Sequence, residues 1–332
     1  MWKQNRRSRR NEKNMGKINT VLGPIATEAL GITAMHEHIG FGLPGHELDP
    51  KWWTPQHIML EAACEKLGRF YELGGRTIVD CSGMGFGRDI AYYQVVSKAT
   101  GVNIVACTGF WAGDGVPQYF REKSVEYLTD LFCHEIINGI DGTEVKAGAI
   151  KVGVSNHGLS ELDERMYRAA ARAARATGAP ILTHLSKDAE RQMELVEMEG
   201  LSLDKIIIGH ADHAFDCDPE RDFRVAKRGA YVGFDTIGYD TEKAAPGNQA
   251  PPWSRPRAER LSQIVNFLEV EGAHRAIIST DANCWPLGFE STPNSVTELL
   301  EVFVPDLRAA GVNEKTIEQL LVHNPAQLLT LA

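Results

Sequence analysis

Apolar runs of strand length recur along this chain, each separated from the next by a stretch with helical periodicity. The runs are Ile32 to His36, Thr77 to Cys81, Asn103 to Thr108, Gly148 to Val154, Pro180 to His184, Lys205 to His210, Ala230 to Asp235 and Arg275 to Asp281. Continuous rather than alternating apolar character predicts strands buried on both faces, as in a parallel sheet. Between them, Gln56 to Leu73, Glu161 to Thr177, Ala189 to Glu199, Phe215 to Lys227 and Arg257 to Val270 carry the spacing of amphipathic helices. Eight such strands predict a closed (β/α)8 TIM barrel of the α/β class, with a doubly wound open sheet as the alternative. No GxGxxG follows the first strand, which weighs against a dinucleotide-binding open sheet. Ahead of the first run, Ile18 to Val21 and Ile25 to Ala29 flank Gly23-Pro24 and predict a short N-terminal β-hairpin.

The polar residues fall where a barrel places its chemistry, at the C-terminal ends of the strands. His36 and His38, Asp80, Thr108, Lys151, His184, His210, Asp235 and Asp281 each close or interrupt an apolar run. In Met35-His36-Glu37-His38 the two imidazoles leave one side of a strand and Glu37 the other. Neutral imidazoles and carboxylates suit zinc and related divalent ions. His36, His38 and Asp281 can hold one ion, and His184 and His210 a second. Lys151, in Ala149-Ile150-Lys151-Val152, is costly as a bare buried ammonium facing metals. Carboxylated by CO2 it becomes an anionic carbamate able to bridge both ions. A metal-bridging hydroxide would then attack the substrate, with Asp281 accepting its proton. Two readings of another class stand beside this one: a Schiff-base aldolase built on Lys151, and a non-catalytic barrel.

Composition narrows the partners. The 332 residues are 43% hydrophobic and 24% charged, with a net charge of -9. That balance argues against nucleic acid or an anionic membrane as a partner, and leaves a small-molecule substrate. No run approaches the length of a membrane span. The six cysteines lack CxxC spacing, and several sit in apolar runs, which suits reduced thiols and a cytoplasmic location. Residues 1–16 read as a disordered basic tail ahead of a single domain at 17–332, with Met15 a candidate translation start.

The set Met35-His36-Glu37-His38, Ile150-Lys151-Val152, Thr183-His184, Gly209-His210, Thr280-Asp281 and Asn324-Pro325-Ala326 resembles the phosphotriesterase family of the amidohydrolase superfamily. The resemblance runs from about Ile18 to the end. It implies a (β/α)8 barrel with a binuclear metal centre: His36, His38 and Asp281 on the more buried ion, His184 and His210 on the more exposed one, and carboxylated Lys151 between. It also implies a homodimer. The ions would be zinc first, with manganese, cobalt or iron accepted by the same ligands.

The substrate loops carry mixed signals. Gly109-Phe110-Trp111 is similar to the aromatic pocket wall of the phosphotriesterases. Gly233-Phe234-Asp235-Thr236 looks more like the lactonases' loop, yet Thr236 stands where those carry arginine. In Ala211-Asp212-His213 a histidine occupies the family's usual aspartate position. The proline-rich segment Ala244 to Pro256 is a candidate lid, with Trp253 as an apolar wall and Arg255 as an anion contact. Trp285, with Trp111 and Trp253, points to a hydrophobic pocket. His46, His57, His134, His274 and His323 read as surface or structural. The expected activity is hydrolysis of a lactone or related carboxylic ester with promiscuous phosphotriesterase activity. A dedicated phosphotriesterase (aryldialkylphosphatase) and an amide or carbamate hydrolase are the alternatives.

Overall fold

A computed structural model of the chain describes residues 16–155, 157–244, 249–290 and 294–331. The basic tail and Met15 lie outside them, as do residues 245–248 of the proposed lid. A two-residue antiparallel pair, β1 (Lys17–Ile18) and β2 (Ile25–Ala26), forms the expected hairpin in shorter form. Eight strands then follow in chain order and pair in that same order, all parallel: β3 (Ile32–Gly42), β4 (Gly75–Asp80), β5 (Asn103–Gly109), β6 (Ala149–Gly153), β7 (Ile181–His184), β8 (Ile206–Ile208), β9 (Tyr231–Phe234) and β10 (Ala276–Ile278). A ninth, β11 (Asn283–Leu287), has no counterpart in the pattern of apolar runs. It adds parallel to the outer half of β3, pairing Asn283 with His38 and Trp285 with Gly40.

The sheet curls into the barrel, and its seam lies between the end of β10 and β3. Asp281 N donates to His36 O and His38 N to Ala282 O, each at 2.9 Å. Within the strands, alternate residues face opposite ways. Val79, Cys81, Val105, Cys107, Ile207 and Ile277 fill the barrel interior. Ile78, Ile104, Ile206 and Ile278 meet the surrounding helices. The six cysteines are all free.

The helices end where the sequence signals it. Helix α1 (Gln56–Glu72) follows β3, α2 (Ile90–Thr100) follows β4 and α3 (Val125–Ile137) follows β5. In α4 (Glu161–Thr177), Ser160 and Asp163 exchange the two hydrogen bonds of a capping box, and Gly178 closes the far end in the left-handed region. Then come α5 (Ala189–Met198) and α6 (Pro219–Arg228), the latter starting four residues later than Phe215 because Asp218 caps it and Pro219 opens it. Helix α7 (Arg257–Glu271) precedes β10. No described helix is long and apolar enough to cross a membrane.

Candidate metal centre

Strand β3 sets the first two ligands. His36 and His38 are both buried. Between them Glu37 turns the other way, and its carboxylate accepts from Ser279 Oγ at 2.7 Å, Thr280 Oγ1 at 2.5 Å, Thr280 N at 2.9 Å and Ala282 N at 3.0 Å. The residue between the ligands therefore grips the segment that carries Asp281. Burial pushes the Glu37 carboxyl up to about 8, although these four bonds favour its charged form.

Three imidazoles are oriented from behind. His38 Nδ1 lies 3.0 Å from Ser82 Oγ, whose proton goes to Gly40 O at 2.9 Å, so the hydroxyl accepts from the ring. Asp235 accepts from His36 Nδ1 at 2.8 Å and from His210 Nδ1 at 2.7 Å. With each Nδ1 committed as a donor, the Nε2 lone pairs of His36, His38 and His210 are free for a ligand.

Those lone pairs converge. His36 Nε2 is 2.7 Å from Lys151 Nζ and 3.6 Å from Asp281 Oδ1. His38 Nε2 is 3.0 Å from Asp281 Oδ1. His210 Nε2 faces His184 Nδ1 at 2.9 Å and Asp281 Oδ2 at 3.9 Å. All six ligands expected from the sequence thus meet in one cluster. Two of them sit on unusual backbone: His210 and Asp281 have φ of 58° and 51°. A non-glycine residue in the left-handed region costs on the order of 1–2 kcal/mol, and here the surrounding hydrogen bonds hold it.

The electrostatics suit cation binding. Burial, then Lys151, lowers His36 to about 4. Burial, then His210, holds His184 well below its ordinary value. Burial would lower His210 too, but Asp235 and Asp281 together raise it. Burial opposes ionisation of Asp281 as well, yet the neighbouring imidazoles, His210 first, keep its carboxyl well below the usual range. Lys151 is fully buried with no carboxylate within 4 Å among the described residues. An ammonium there is uncompensated. Four imidazoles, one carboxylate and a lysine lacking a counter-ion make a donor set that fits divalent metal. A second cluster, His36, His210 and Asp235, also lies within ligand distance. It consists of the Nδ1 bonds to Asp235 already described.

Above the cluster opens a cavity of about 700 Å³. Its wall is aromatic: Phe41, Trp52, Trp111, Tyr239, Trp253 and Phe289 all line it, and among the described residues no lysine or arginine does. Trp111 packs on His184 with ring centroids 4.4 Å apart, and Phe41 on His38 at 4.8 Å. Of the residues expected to touch substrate, Trp111, His213, Thr236 and Trp253 line this cavity. Burial, then His210, lowers His213 to about 3, so the ring is neutral.

Four others are elsewhere. Phe110 is buried in the core against Phe120 and Phe132, at centroid distances of 5.1 and 6.2 Å. Asp235 lies behind the histidines. Arg255 gives NH1 to Gln263 Oε1 at 2.5 Å and to Asp212 O, and so braces the loop. Trp285 sits on β11 and is not in the cavity wall. Conversely His46, read as surface or structural, lines the cavity, as do Phe41 and Phe289. A strand extending six residues past His36 was the missing signal for Phe41.

Comparison with known proteins agrees with this geometry. A profile of the phosphotriesterase family matches residues 16–329. A phosphotriesterase homology protein of Mycobacterium tuberculosis is 30% identical, over 95% of this chain and 98% of that one. An aryldialkylphosphatase of Saccharolobus solfataricus is 30% identical over 92% and 97%. An N-acetyltaurine hydrolase of Xenopus tropicalis is 27% identical over 95% and 98%. Among solved structures, one from the engineering of organophosphate hydrolysis on a weak promiscuous lactonase template superposes with a TM-score of 0.85 at 30% identity, over 94% and 99%. From the barrel, the ligand cluster at its mouth and a family match over nearly the whole length, this chain is a hydrolase of the phosphotriesterase family.

Proposed function

We propose that the protein hydrolyses a neutral lactone or related carboxylic ester at a binuclear metal centre, with phosphotriester cleavage as a side activity. The convergence of His36, His38, His184, His210, Lys151 and Asp281 beneath an aromatic cavity, with no lysine or arginine among its described lining residues, carries the reading. His36, His38 and Asp281 would hold one ion, His184 and His210 the other, with Lys151 as a carbamate between them. Two such ions, zinc by preference, supply Lewis acidity and a water activated at neutral pH.

The chain's own groups do the rest. Asp281 remains ionised, and its Oδ2, which faces His210 while Oδ1 faces His38, is the proton acceptor. Asp235, Ser82 and Glu37 keep the ligands in place. The aromatic wall excludes water and receives apolar substituents. An anionic substrate such as N-acetyltaurine finds no lysine or arginine there among the described residues. A dedicated phosphotriesterase is the second reading, favoured by the likeness to the aryldialkylphosphatase.

The test is kcat/KM of metal-replete enzyme across aliphatic lactones, aryl esters, an aryl carbamate and an aryl dialkyl phosphate. A lactone preference of several hundredfold supports the reading. A preference for the phosphate or the carbamate overturns it and leaves the metal centre standing.

A further inference from the structure

Among the imidazoles that line the cavity, those of His38, His184 and His210 belong to the ligand cluster, and those of His46 and His213 do not. In His46, Nδ1 lies 2.9 Å from Leu43 O and donates to it, so Nε2 of the neutral ring is an acceptor. His213 has the opposite assignment. The Phe215 main-chain N donates to His213 Nδ1 at 3.4 Å, which requires a lone pair there and puts the ring proton on Nε2. No group among the described residues hydrogen-bonds that Nε2, and it is not one of the sealed polar atoms left without a partner. The N–H therefore opens to the cavity that His213 lines.

The ring is fixed beside the ligands. His213 N donates to His210 O and Asp216 N to His213 O, each at 3.1 Å, while Ala214 N donates to Trp253 O at 3.2 Å. The preceding residue, Asp212, is locked by Arg260 at 2.8 Å. The His213 ring centroid lies 6.1 Å from that of His210 and 5.1 Å from that of Phe215. With no lysine or arginine among the described lining residues, negative charge that develops on a substrate here falls to neutral donors.

We propose that His213 is a catalytic residue whose Nε2–H hydrogen-bonds the leaving-group oxygen of the ester as the bond from that oxygen to the acyl carbon breaks. This deepens the hydrolase reading above and rests on it. An ester has two oxygens, and in that reading the carbonyl oxygen is the one polarised at the metal centre. The other is left to the chain's own donors. It departs with the electron pair of the broken bond, and an N–H bonds the developing alkoxide more strongly than the ester oxygen it came from. The proton that neutralises the alkoxide is the one Asp281 took from the attacking water. His213 keeps its own proton, so water and ester give acid and alcohol in balance.

Two measurements on the zinc-replete enzyme test this. The first is nitrogen NMR of isotope-labelled histidines, with the His213 signals identified by their loss in His213→Leu. The proton is expected on Nε2, and a proton on Nδ1 overturns the proposal whatever the enzyme cleaves. The second is kcat/KM for esters of one acid, with leaving groups from a nitrophenol to a simple aliphatic alcohol. His213→Leu is expected to slow the aliphatic ester about 10–100-fold more than the nitrophenyl ester, because the poorer leaving group depends more on the donor. His213→Gln, which keeps an N–H, should recover part of that ratio. The ratio is taken within each protein, so a loss of zinc or of folded enzyme scales both esters alike and cancels. Equal slowing of all the esters, or none, overturns the proposal and leaves the hydrolase reading standing. No cleavage of any ester or lactone by the wild-type enzyme overturns the hydrolase reading itself, and the proposal with it.

Discussion

Asp235 holds His210 at two atoms: its Oδ1 accepts from both the main-chain N and the ring Nδ1, each at 2.7 Å. The double bond secures a residue whose backbone is in the left-handed region. Because Oδ2 also takes His36 Nδ1, one carboxylate orients a ligand for each of the two proposed ions. Asp235→Asn replaces one acceptor by a donor and cannot serve both rings. Divalent-metal affinity is expected to fall about 10–100-fold, measured by competition with a chromogenic chelator. Unchanged affinity would reduce Asp235 to a packing role.

Removing metal separates hydrolysis from Lys151 carbonyl chemistry. A strong chelator is expected to abolish ester cleavage, and added zinc, manganese or cobalt to restore it. Borohydride with a carbonyl compound is expected to leave the protein mass unchanged. Activity that survives chelation, with a reduced adduct on Lys151, would reverse the assignment.

Phe110 is a core residue although its neighbour Trp111 lines the cavity. Phe110→Ala should lower unfolding free energy by about 3–5 kcal/mol and leave KM unaltered. Urea melts and steady-state kinetics read the two quantities separately. A raised KM with undiminished stability would return Phe110 to the pocket.

Arg260, on α7, is fully buried and bonds Asp212 Oδ2 at 2.8 Å, Asp240 Oδ1 at 2.6 Å and Tyr239 O at 2.9 Å. It ties together the two loops that carry His213, Thr236 and Tyr239 to the cavity. Arg260→Met strands two buried carboxylates and is expected to destabilise by about 3–5 kcal/mol. Adding Asp240→Asn should recover part of that in denaturant titrations. No recovery would mean the pair is not coupled.

Burial raises the Asp222 carboxyl from 3.8 to about 6, although Arg221 and Gln263 pull the other way. Its folded-state value is above the unfolded one, so the folded protein binds the extra proton between about pH 4 and 6. This contribution to stability is complete below about pH 4 and is lost as the pH rises through about 6. Asp222→Asn should flatten the stability profile across that window. A variant with the wild-type slope would assign the dependence to another group.

The strand order and the cluster of candidate ligands are legible in the sequence, because both follow from local pattern. Continuous apolar runs need burial on both faces, a parallel barrel sends every strand's C-terminal end to one mouth, and alternation puts His36 and His38 on one side of β3. Alternation also sorts the residues at the end of β5. Gly109 has φ of 88°, and a Cβ there would lie 2.1 Å from Lys151 O, so no other residue fits. With Ile104 on the helix side and Val105 and Cys107 inside the barrel, the two-residue phase continues past it and sends Phe110 to the core and Trp111 to the cavity. The inward carboxylate of Asp235, the brace made by Arg255 and the addition of β11 along β3 all depend on partners distant in the chain. Sequence alone determined that the six candidate ligands reach the barrel mouth; the packing of distant segments decided which neighbouring side chains face the cavity and which hold the ligands in place.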